Sequence, residues 1–251
     1  MATLIKKYSL IYLLIVIGFS CKSQDNNYES FTYNSFIVDL ETSETKRMLS
    51  QSDYKIWIKN NTMILENKIC HHLTDIAGNS TAWDEVSRYT LINLGNISFY
   101  EYKTLTDTAK LLTSYTIPND SNYVLFFKPY KDPLSPPFTW DIIKKGKYIA
   151  DTSLGNDYYK RYRFSLKSES GDNVIYTLYL NPKLNKKVTF FKSLSKELGE
   201  SIFRYDEYVE NSGYLVFCEL KTVSNSLNDG IIKVFNTWEK YSILNPVSLK
   251  K

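Results

Sequence analysis

The sequence predicts a mainly β fold: a curved antiparallel sheet, forming a half-barrel or barrel, with one to three short helices. Aromatic residues are unusually frequent, with 21 Tyr, 13 Phe and 4 Trp in 251 residues, and such rings suit the half-buried surface of a pleated sheet. Alternating apolar and polar residues recur in paired runs joined by short turn-forming segments, which is the pattern of β-hairpins. About ten strands follow from this pattern, enough for a strongly curved sheet.

The clearest hairpin turns at Asn60-Asn61, because asparagine tolerates positive φ and alternating runs flank the pair. A two-residue turn fixes the register of the two strands. The predicted cross-strand pairs are Ile58–Met63 and Ile56–Leu65 on one face, and Lys59–Thr62, Trp57–Ile64 and Lys55–Glu66 on the other. The first face is apolar and the second is mixed.

A second hairpin is predicted to turn at Gly95-Asn96. Its cross-strand pairs are Leu94–Ile97 and Ile92–Phe99 on one face, and Leu91–Tyr100 and Tyr89–Tyr102 on the other. Both faces are apolar, which indicates a sheet that either encloses a cavity or is packed on both sides.

Weaker patterns complete the list of elements. Further hairpins pair residues 158–166 with 174–180 across the loop 168–173, and 201–209 with 214–221 across 211–213. Single strands are predicted at 31–40, 123–128 and 231–238, and short helices at 43–49, 81–87 and 193–198, the last with Gly199 as its C-cap.

Residues 129–138 carry four of the seven prolines, so they cannot join a strand ladder and should form an irregular crossing. A domain boundary there is the alternative, but the flanks lack the Gly/Ser composition of a flexible linker. We therefore expect residues 29–251 to form a single antiparallel β-rich domain.

The N-terminus has the layout of a signal peptide, with Lys6 and Lys7 before an apolar run at 8–19. A helix of that length spans about 18 Å, against a hydrocarbon core of about 30 Å. An uncleaved N-terminal helix with an accidental cysteine is therefore the weaker reading. Small residues at Gly18 and Ser20 precede Cys21.

Gly18-Phe19-Ser20-Cys21 resembles the lipobox of bacterial lipoproteins, although Phe19 is larger than the usual residue. The resemblance implies that residues 1–20 are a signal peptide, that cleavage falls between Ser20 and Cys21, and that Cys21 carries lipid. It also implies several acyl chains, which hold a protein on a membrane more firmly than one. Residues 21–28 are polar and should form a flexible tether.

The same resemblance places the protein in the cell envelope. Lys22 is not the Asp that retains some lipoproteins in the inner membrane, so the outer membrane is expected, with its periplasmic or outer side left open. Removing Lys6 and Lys7 from the formal charge of +4 leaves +2. A chain so close to neutral lacks the basic surface of a nucleic-acid-binding protein.

Residues for catalysis are scarce. The two histidines, His71 and His72, are adjacent, and neighbours on a strand point to opposite faces. Cys70 lies beside them, but zinc needs three or four converging ligands and the sequence has no second Cys/His cluster. We therefore expect no metal. The sequence has no Gly-x-Ser-x-Gly elbow, phosphate loop or dinucleotide fingerprint. We therefore expect no cofactor and no enzyme activity.

Carboxylate chemistry is the one catalytic class left open, because glycosidases need two facing acids. The candidate acids are Asp84, Glu85, Asp151, Asp206, Glu207 and Glu210. Asp206 and Glu207 are neighbours on a predicted strand and should face opposite sides. Solvated strand edges are the plainer reading for all six.

With Cys21 lipidated, Cys70 and Cys218 remain in an oxidising compartment where disulfides persist. A bridge between them is left open, since it requires Cα atoms within about 7 Å. The alternative for Cys218 is a small buried residue on the strand face that it shares with Tyr214, Val216 and Leu220.

Two functional readings remain. The strands at 158–164 and 176–182 distantly resemble the lipoprotein-carrier (LolA-like) family, whose antiparallel strands curl around a lipid-sized cavity. The resemblance implies a non-catalytic envelope protein that binds an apolar or lipid-like ligand or serves a partner protein. The alternative is a surface glycan-binding or glycan-processing lipoprotein, with tryptophans as sugar-stacking platforms: Trp57, Trp83, Trp140 and Trp238.

Overall fold

The computed structural model describes residues 28–48, 52–95, 98–116, 146–155, 157–168, 170–182, 189–190, 195 and 198–247. Several predictions therefore fall outside the described residues. They are the signal peptide, Cys21 and nearly all of the tether, the strand at 123–128, the proline-rich stretch, Trp140, and most of the helix at 193–198. At the end of that helix, Leu198 has helical backbone and Gly199 has a φ of +71°, as a C-cap requires.

The described residues contain twelve strands and one helix. The strands are β1 Tyr28–Asp39, β2 Thr45–Arg47, β3 Tyr54–Lys59, β4 Thr62–Thr74, β5 Ser80–Asn93, β6 Ser98–Tyr102, β7 Leu111–Thr116, β8 Lys147–Leu154, β9 Asp157–Lys167, β10 Asn173–Asn181, β11 Ser201–Val209 and β12 Tyr214–Ser224. The helix is α1, Asp229–Leu244.

All twelve strands belong to one antiparallel sheet. Its order is β7-β6-β5-β4-β3-β1-β12-β11-β10-β9-β8, and β2 pairs with β1 off this path. The two end strands, β7 and β8, lie at opposite edges, so the sheet formed by the described residues is open and does not close into a barrel. The predicted fold class, a mainly β chain with a large curved antiparallel sheet, is confirmed.

The first hairpin has the predicted register. Asn60 has a φ of +52°, and Ile58 faces Met63 while Ile56 faces Leu65. The β3–β4 ladder ends at Ile56–Leu65, one position short of Lys55 and Glu66. The expected ion pair between these two residues is not formed, because the carboxylate of Glu66 pairs with Lys68 at 3.3 Å.

The other hairpins are confirmed as well. Ile92 faces Phe99, Leu91 faces Tyr100, and Tyr89 faces Tyr102. The pair Leu94–Ile97 lies partly outside the described residues. Strands β9 and β10 pair across the predicted loop, and β11 and β12 pair across a turn in which Asn211 and Gly213 have positive φ.

Two predicted helices are strands, so those predictions are wrong. Residues 81–87 lie within β5, which pairs with β4 all the way to Ser80. In the other segment, 43–49, the described residues are irregular at 43–44, form β2 at Thr45–Arg47, where Arg47 lies opposite Phe36 of β1, and end in a bend at Met48. In both places a neighbouring strand supplies ladder partners, and such tertiary pairing overrides weak helical propensity.

The strand predicted at 231–238 is also wrong, because these residues belong to helix α1. The side chain of Asn228 caps the helix by accepting a hydrogen bond from the backbone N–H of Ile231 at 2.9 Å. The buried residues of α1 are Ile231, Val234, Phe235, Trp238 and Ser242. Their spacing of three and four is that of a helix face, a period that outweighs the local β propensity.

Two apolar clusters cover the two faces of the sheet. We call the face with the larger cluster the core face; its fully buried members are Phe31, Tyr33, Ile56, Ile58, Met63, Leu65, Ile92, Phe164, Val174, Tyr176, Leu178, Leu180, Phe190, Ile202, Cys218 and Leu220. We call the other the helix face, where α1 packs on Ile64, Leu91, Tyr100 and Tyr102. The second apolar face of the β5–β6 hairpin is therefore covered by a helix.

Candidate functional site

The candidate site is a group of polar side chains set into the apolar core face. Strand alternation brings them together: Tyr205 of β11 lies opposite Cys218 of β12, and Cys218 lies opposite Ser35 of β1. Tyr33 precedes Ser35 by two residues and shares its face. The Cys218 thiol donates to the Ser35 hydroxyl at 3.2 Å. We call Tyr33, Ser35, Tyr205 and Cys218 the hydroxyl–thiol cluster.

Aromatic rings enclose this cluster. Phe190 is fully buried, and its ring meets those of Tyr33 and Tyr205 edge-on, with centroids 5.7 Å and 5.1 Å away. These contacts hold both tyrosine rings in place, since edge-to-face pairs add to the gain from burial.

Glu207 and Tyr176 extend the cluster along the core face, because they lie opposite each other in the β10–β11 ladder. Burial raises the pKa of the Glu207 carboxyl. A hydrogen bond from Tyr176 lowers this pKa, but its effect is smaller than that of burial. Burial, and then the charge of Glu207, raise the pKa of Tyr176. A core carboxyl with a raised pKa is closer to neutrality than a surface one.

The hydroxyl–thiol cluster is neutral at ordinary pH. Burial raises the pKa of Tyr33, of Tyr205 and of the Cys218 thiol. Each group therefore keeps its proton, and Cys218 lacks the lowered pKa of a reactive thiol. The site offers uncharged O–H and S–H groups in a mostly apolar core, beside the ionisable carboxyl of Glu207.

The core face has a half-buried margin. Partly buried side chains there pack against the buried apolar residues of the core face: Tyr54, Leu94, Phe99, Tyr162, Leu166, Leu198, Phe203, Tyr205 and Val209. Phe99 stacks on Tyr115 of the edge strand β7 with centroids 5.0 Å apart. Apolar area therefore reaches the surface at the edges of the core face.

A second polar group on the core face was not predicted from the sequence. Glu101 is buried and accepts hydrogen bonds from Arg88 at 2.9 Å and from the Tyr115 hydroxyl at 3.2 Å. Burial, followed by the charge of Glu101, raises the pKa of Tyr115 to about 12. This polar group consists of Glu101, Arg88 and Tyr115, which lie on three different strands and not directly opposite one another. No local sequence pattern therefore predicts their contact.

The two histidines make separate contacts. His71 lies 3.1 Å from the Glu85 carboxylate and stacks on Trp83, whereas His72 lies 3.5 Å from the Cys70 thiol. No group of three or more His, Cys, Asp or Glu among the described residues is placed to hold a metal ion.

The candidate acids are spread over the molecule, and several of them already have partners. Asp206 accepts hydrogen bonds from Tyr179 at 2.6 Å and from Arg204 at 2.7 Å. These contacts lie on the face away from Glu207, as predicted for neighbours on one strand. Asp84 accepts from Ser52.

The remaining acids are also dispersed. The Tyr148 hydroxyl donates to Asp151 at 2.6 Å, and hydrogen bonds from Tyr148 and Tyr158 lower the pKa of Asp151. Glu85 pairs with His71, and Glu210 is exposed after β11. The acids predicted as candidates do not face one another across a groove.

The described tryptophans differ in exposure. Trp238 is 1 % exposed and belongs to the helix-face core, and Trp57 is half-buried against it. Trp83 is 46 % exposed. Of the three tryptophans that the structure describes, Trp83 is thus the one exposed enough to contact a sugar.

Cys70 and Cys218 are both free thiols. Strands β4 and β12 are separated by β3 and β1, which places them about 14 Å apart at the usual strand spacing. A disulfide needs Cα atoms within about 7 Å, so the structure does not form the bridge that the sequence left open. Cys218 is buried, as its alternative reading predicted.

Comparisons with known proteins gave a weak likeness to solved structures. No protein-family profile matches the chain, and no curated protein is similar to it. Among solved structures, a LolA superfamily protein from Nitrosomonas europaea is similar to it, with 8% sequence identity and a TM-score of 0.22. The alignment covers 83% of this chain and 90% of that one, so the two align along most of their length but superpose loosely.

No helix within the described residues has the length and apolar character needed to cross a bilayer.

Proposed function

We propose that this chain is a non-catalytic lipoprotein of the cell envelope, attached to the outer membrane through lipid on Cys21, whose core face binds an apolar, lipid-like ligand. The observation that carries the proposal is the hydroxyl–thiol cluster: uncharged O–H and S–H groups buried within a broad apolar sheet face. Sites for small apolar molecules combine an apolar lining with a few polar groups that orient the ligand.

The size of the core face supports this proposal. Its apolar side chains come from β5, β4, β3, β1, β12, β11, β10 and β9. Eight strands at their usual spacing extend over about 34 Å, whereas one helix with its side chains is about 10 Å wide. On the helix face, α1 packs against residues of β4, β5 and β6, a narrower surface.

The chemistry of the cluster selects the class of ligand. A charged headgroup buried there would meet no ionised partner among Tyr33, Ser35, Tyr205 and Cys218, and burial of an unpaired charge is costly. A neutral ester, amide or protonated carboxyl would not carry that cost. We therefore propose a ligand with long apolar chains and an uncharged polar group.

The anchor is supported by the residues that precede the fold. Gly18, Ser20 and Cys21 match the lipobox pattern, and β1 begins at Tyr28. Residues 21–27 thus separate the proposed lipid from the sheet. This spacing would let the domain fold beside the membrane while its N-terminus stays in it.

Ligand binding is tested with residues 25–251, which retain every described strand and the helix. A fluorescent fatty acid is titrated into this chain, into Leu166→Glu and into Ser165→Glu. Leu166 lies at the margin of the core face, while Ser165 is exposed on the neighbouring position of β9. We expect saturable binding by the wild type and Ser165→Glu, weakened at least tenfold in Leu166→Glu.

Unsaturable binding, or equal affinity of both variants, would contradict the proposal. The same chain is screened against a panel of glycosides and esters. Turnover that is lost when a single acid such as Asp206 is mutated would favour the glycan-processing reading.

A further inference from the structure

The outward side of helix α1 carries exposed apolar residues. Ile243 is 74 % exposed and Leu244 is 69 % exposed. Together with Asn236, Glu239 and Lys240 they line an open groove. The positions 236, 239, 240, 243 and 244 form one stripe along the helix, distinct from the residues that α1 buries against the sheet.

This groove lies beside the point where the chain enters the sheet. The Lys59 ammonium donates to Asn236 and to Glu239, both at 2.6 Å. Lys59 lies opposite Tyr28, the first residue of β1. One ion-paired lysine therefore connects the start of the sheet to the middle of the groove.

The sequence limits how far this end of the sheet can move from the lipid. Tyr28 follows Cys21 by seven positions in the sequence, so their Cα atoms lie at most about 25 Å apart. If Cys21 sits in the membrane, the groove is held within contact distance of the bilayer surface.

The opposite end of the sheet lies outside the region that the short tether holds near Cys21. Strand β4 runs from Thr62, beside Lys59, to Thr74. Leu73 is 62 % exposed near its far end, and it lies roughly 36 Å along the strand from Thr62. Of the exposed apolar sites at Ile243-Leu244 and at Leu73, the short tether therefore holds only the first near lipid.

We infer that the C-terminal half of α1 docks on the bilayer surface, with Ile243 and Leu244 inserted at the level of the acyl chains. This inference rests on the proposed lipid anchor at Cys21. Lys240, on the same stripe, would keep its ammonium at the headgroups while its stem covers apolar surface. Such shallow insertion of an amphipathic helix is how peripheral proteins lie on membranes.

The test uses the full-length chain in a bacterial host that processes lipoproteins. The photo-crosslinking residue benzoylphenylalanine replaces Leu244 in one variant and Leu73 in another, and intact membranes are irradiated. Incorporation of labelled palmitate is measured on the same samples. We expect palmitate in both variants, and a several-fold higher yield of phospholipid adducts at position 244 than at position 73.

A second comparison adds Ile243→Asp to the position-244 crosslinker, with Leu73→Asp as the matched control. Both residues are exposed, so neither change should disturb the fold. We expect Ile243→Asp to lower the adduct yield, by up to about tenfold given the apolar area of an isoleucine side chain. Leu73→Asp should leave the yield unchanged.

Each other outcome overturns a defined claim. Palmitate incorporation with no lipid adduct at position 244 would overturn the docking inference and leave the anchor intact. An adduct to another protein, or to a second copy of this chain, would show that a protein occupies the groove and would overturn the inference as well. Absence of palmitate would overturn the anchor and with it the docking.

Discussion

Replacing Trp238 with alanine should destabilise the protein severely, because this side chain joins α1 to the sheet. The indole is 1 % exposed and stacks on Tyr102 with ring centroids 3.8 Å apart. Its N–H donates to the carbonyl oxygen of Thr106 at 3.1 Å. Truncation of a buried tryptophan to alanine costs about 3–5 kcal/mol, and the stacked ring and the hydrogen bond place Trp238→Ala toward the upper part of that range.

The measurement is urea denaturation of residues 25–251, followed by circular dichroism. Trp83→Ala is the matched control, because that indole is 46 % exposed and its loss should cost less than about 1 kcal/mol. Trp238→Phe keeps most of the burial but loses the donor, which should cost about 1 kcal/mol or slightly more. A Trp238→Ala loss no larger than that of Trp83→Ala would refute the packing of α1 on this face.

Three further results are expected. Cys21→Ser should abolish lipidation and leave an uncleaved precursor, since no other residue there can form the thioether; palmitate label in this variant would disprove the anchor. Asn60→Pro should lower the melting temperature more than Asn60→Gly, because glycine can adopt the native φ of +52° and proline cannot. Equal melting temperatures of the two variants would contradict the tight turn. Glu207→Gln should be more stable than the wild type at pH 8 and lose that advantage toward pH 4. Burial raises the pKa of Glu207 in the folded state. Ionisation of Glu207 above its folded pKa therefore destabilises the wild type, and this stability is recovered below the unfolded pKa. Denaturation curves of equal midpoint at pH 8 would show that this cost is absent.

The hairpins could be predicted because their signals are local. A turn pair such as Asn60-Asn61 sets the register, and alternation then assigns each side chain to a face. The structure has these pairs as predicted, from Ile58–Met63 to Leu91–Tyr100. Short-range patterns therefore defined most of the sheet.

The ends of the elements were harder, because they depend on distant partners. Residues 81–87 have no strong strand signal of their own and become strand through pairing with β4. Residues 231–238 have β-branched and aromatic residues that suggest a strand, yet they form a helix. The Asn228-Asp229 start and the spacing of Ile231, Phe235 and Trp238 were the sequence signals for that helix.

The candidate site could not be assembled from the sequence. Burial of Cys218 was predicted from its strand, but its neighbours Ser35 and Tyr33 come from a strand more than 180 residues earlier. The first and last strands of the described chain, β1 and β12, are neighbours in the sheet. No turn or period reports such a pairing, which arises only when the whole sheet forms.

Ligand occupancy of the core face is measured by native mass spectrometry of the full-length chain extracted from its own membranes in mild detergent. We expect the wild type and Ser165→Glu to carry a non-covalent lipid in addition to the acyl chains on Cys21, and Leu166→Glu to have lost it. A wild-type chain that carries only its covalent lipid, or a Leu166→Glu chain that keeps the same non-covalent lipid, would contradict binding at the core face.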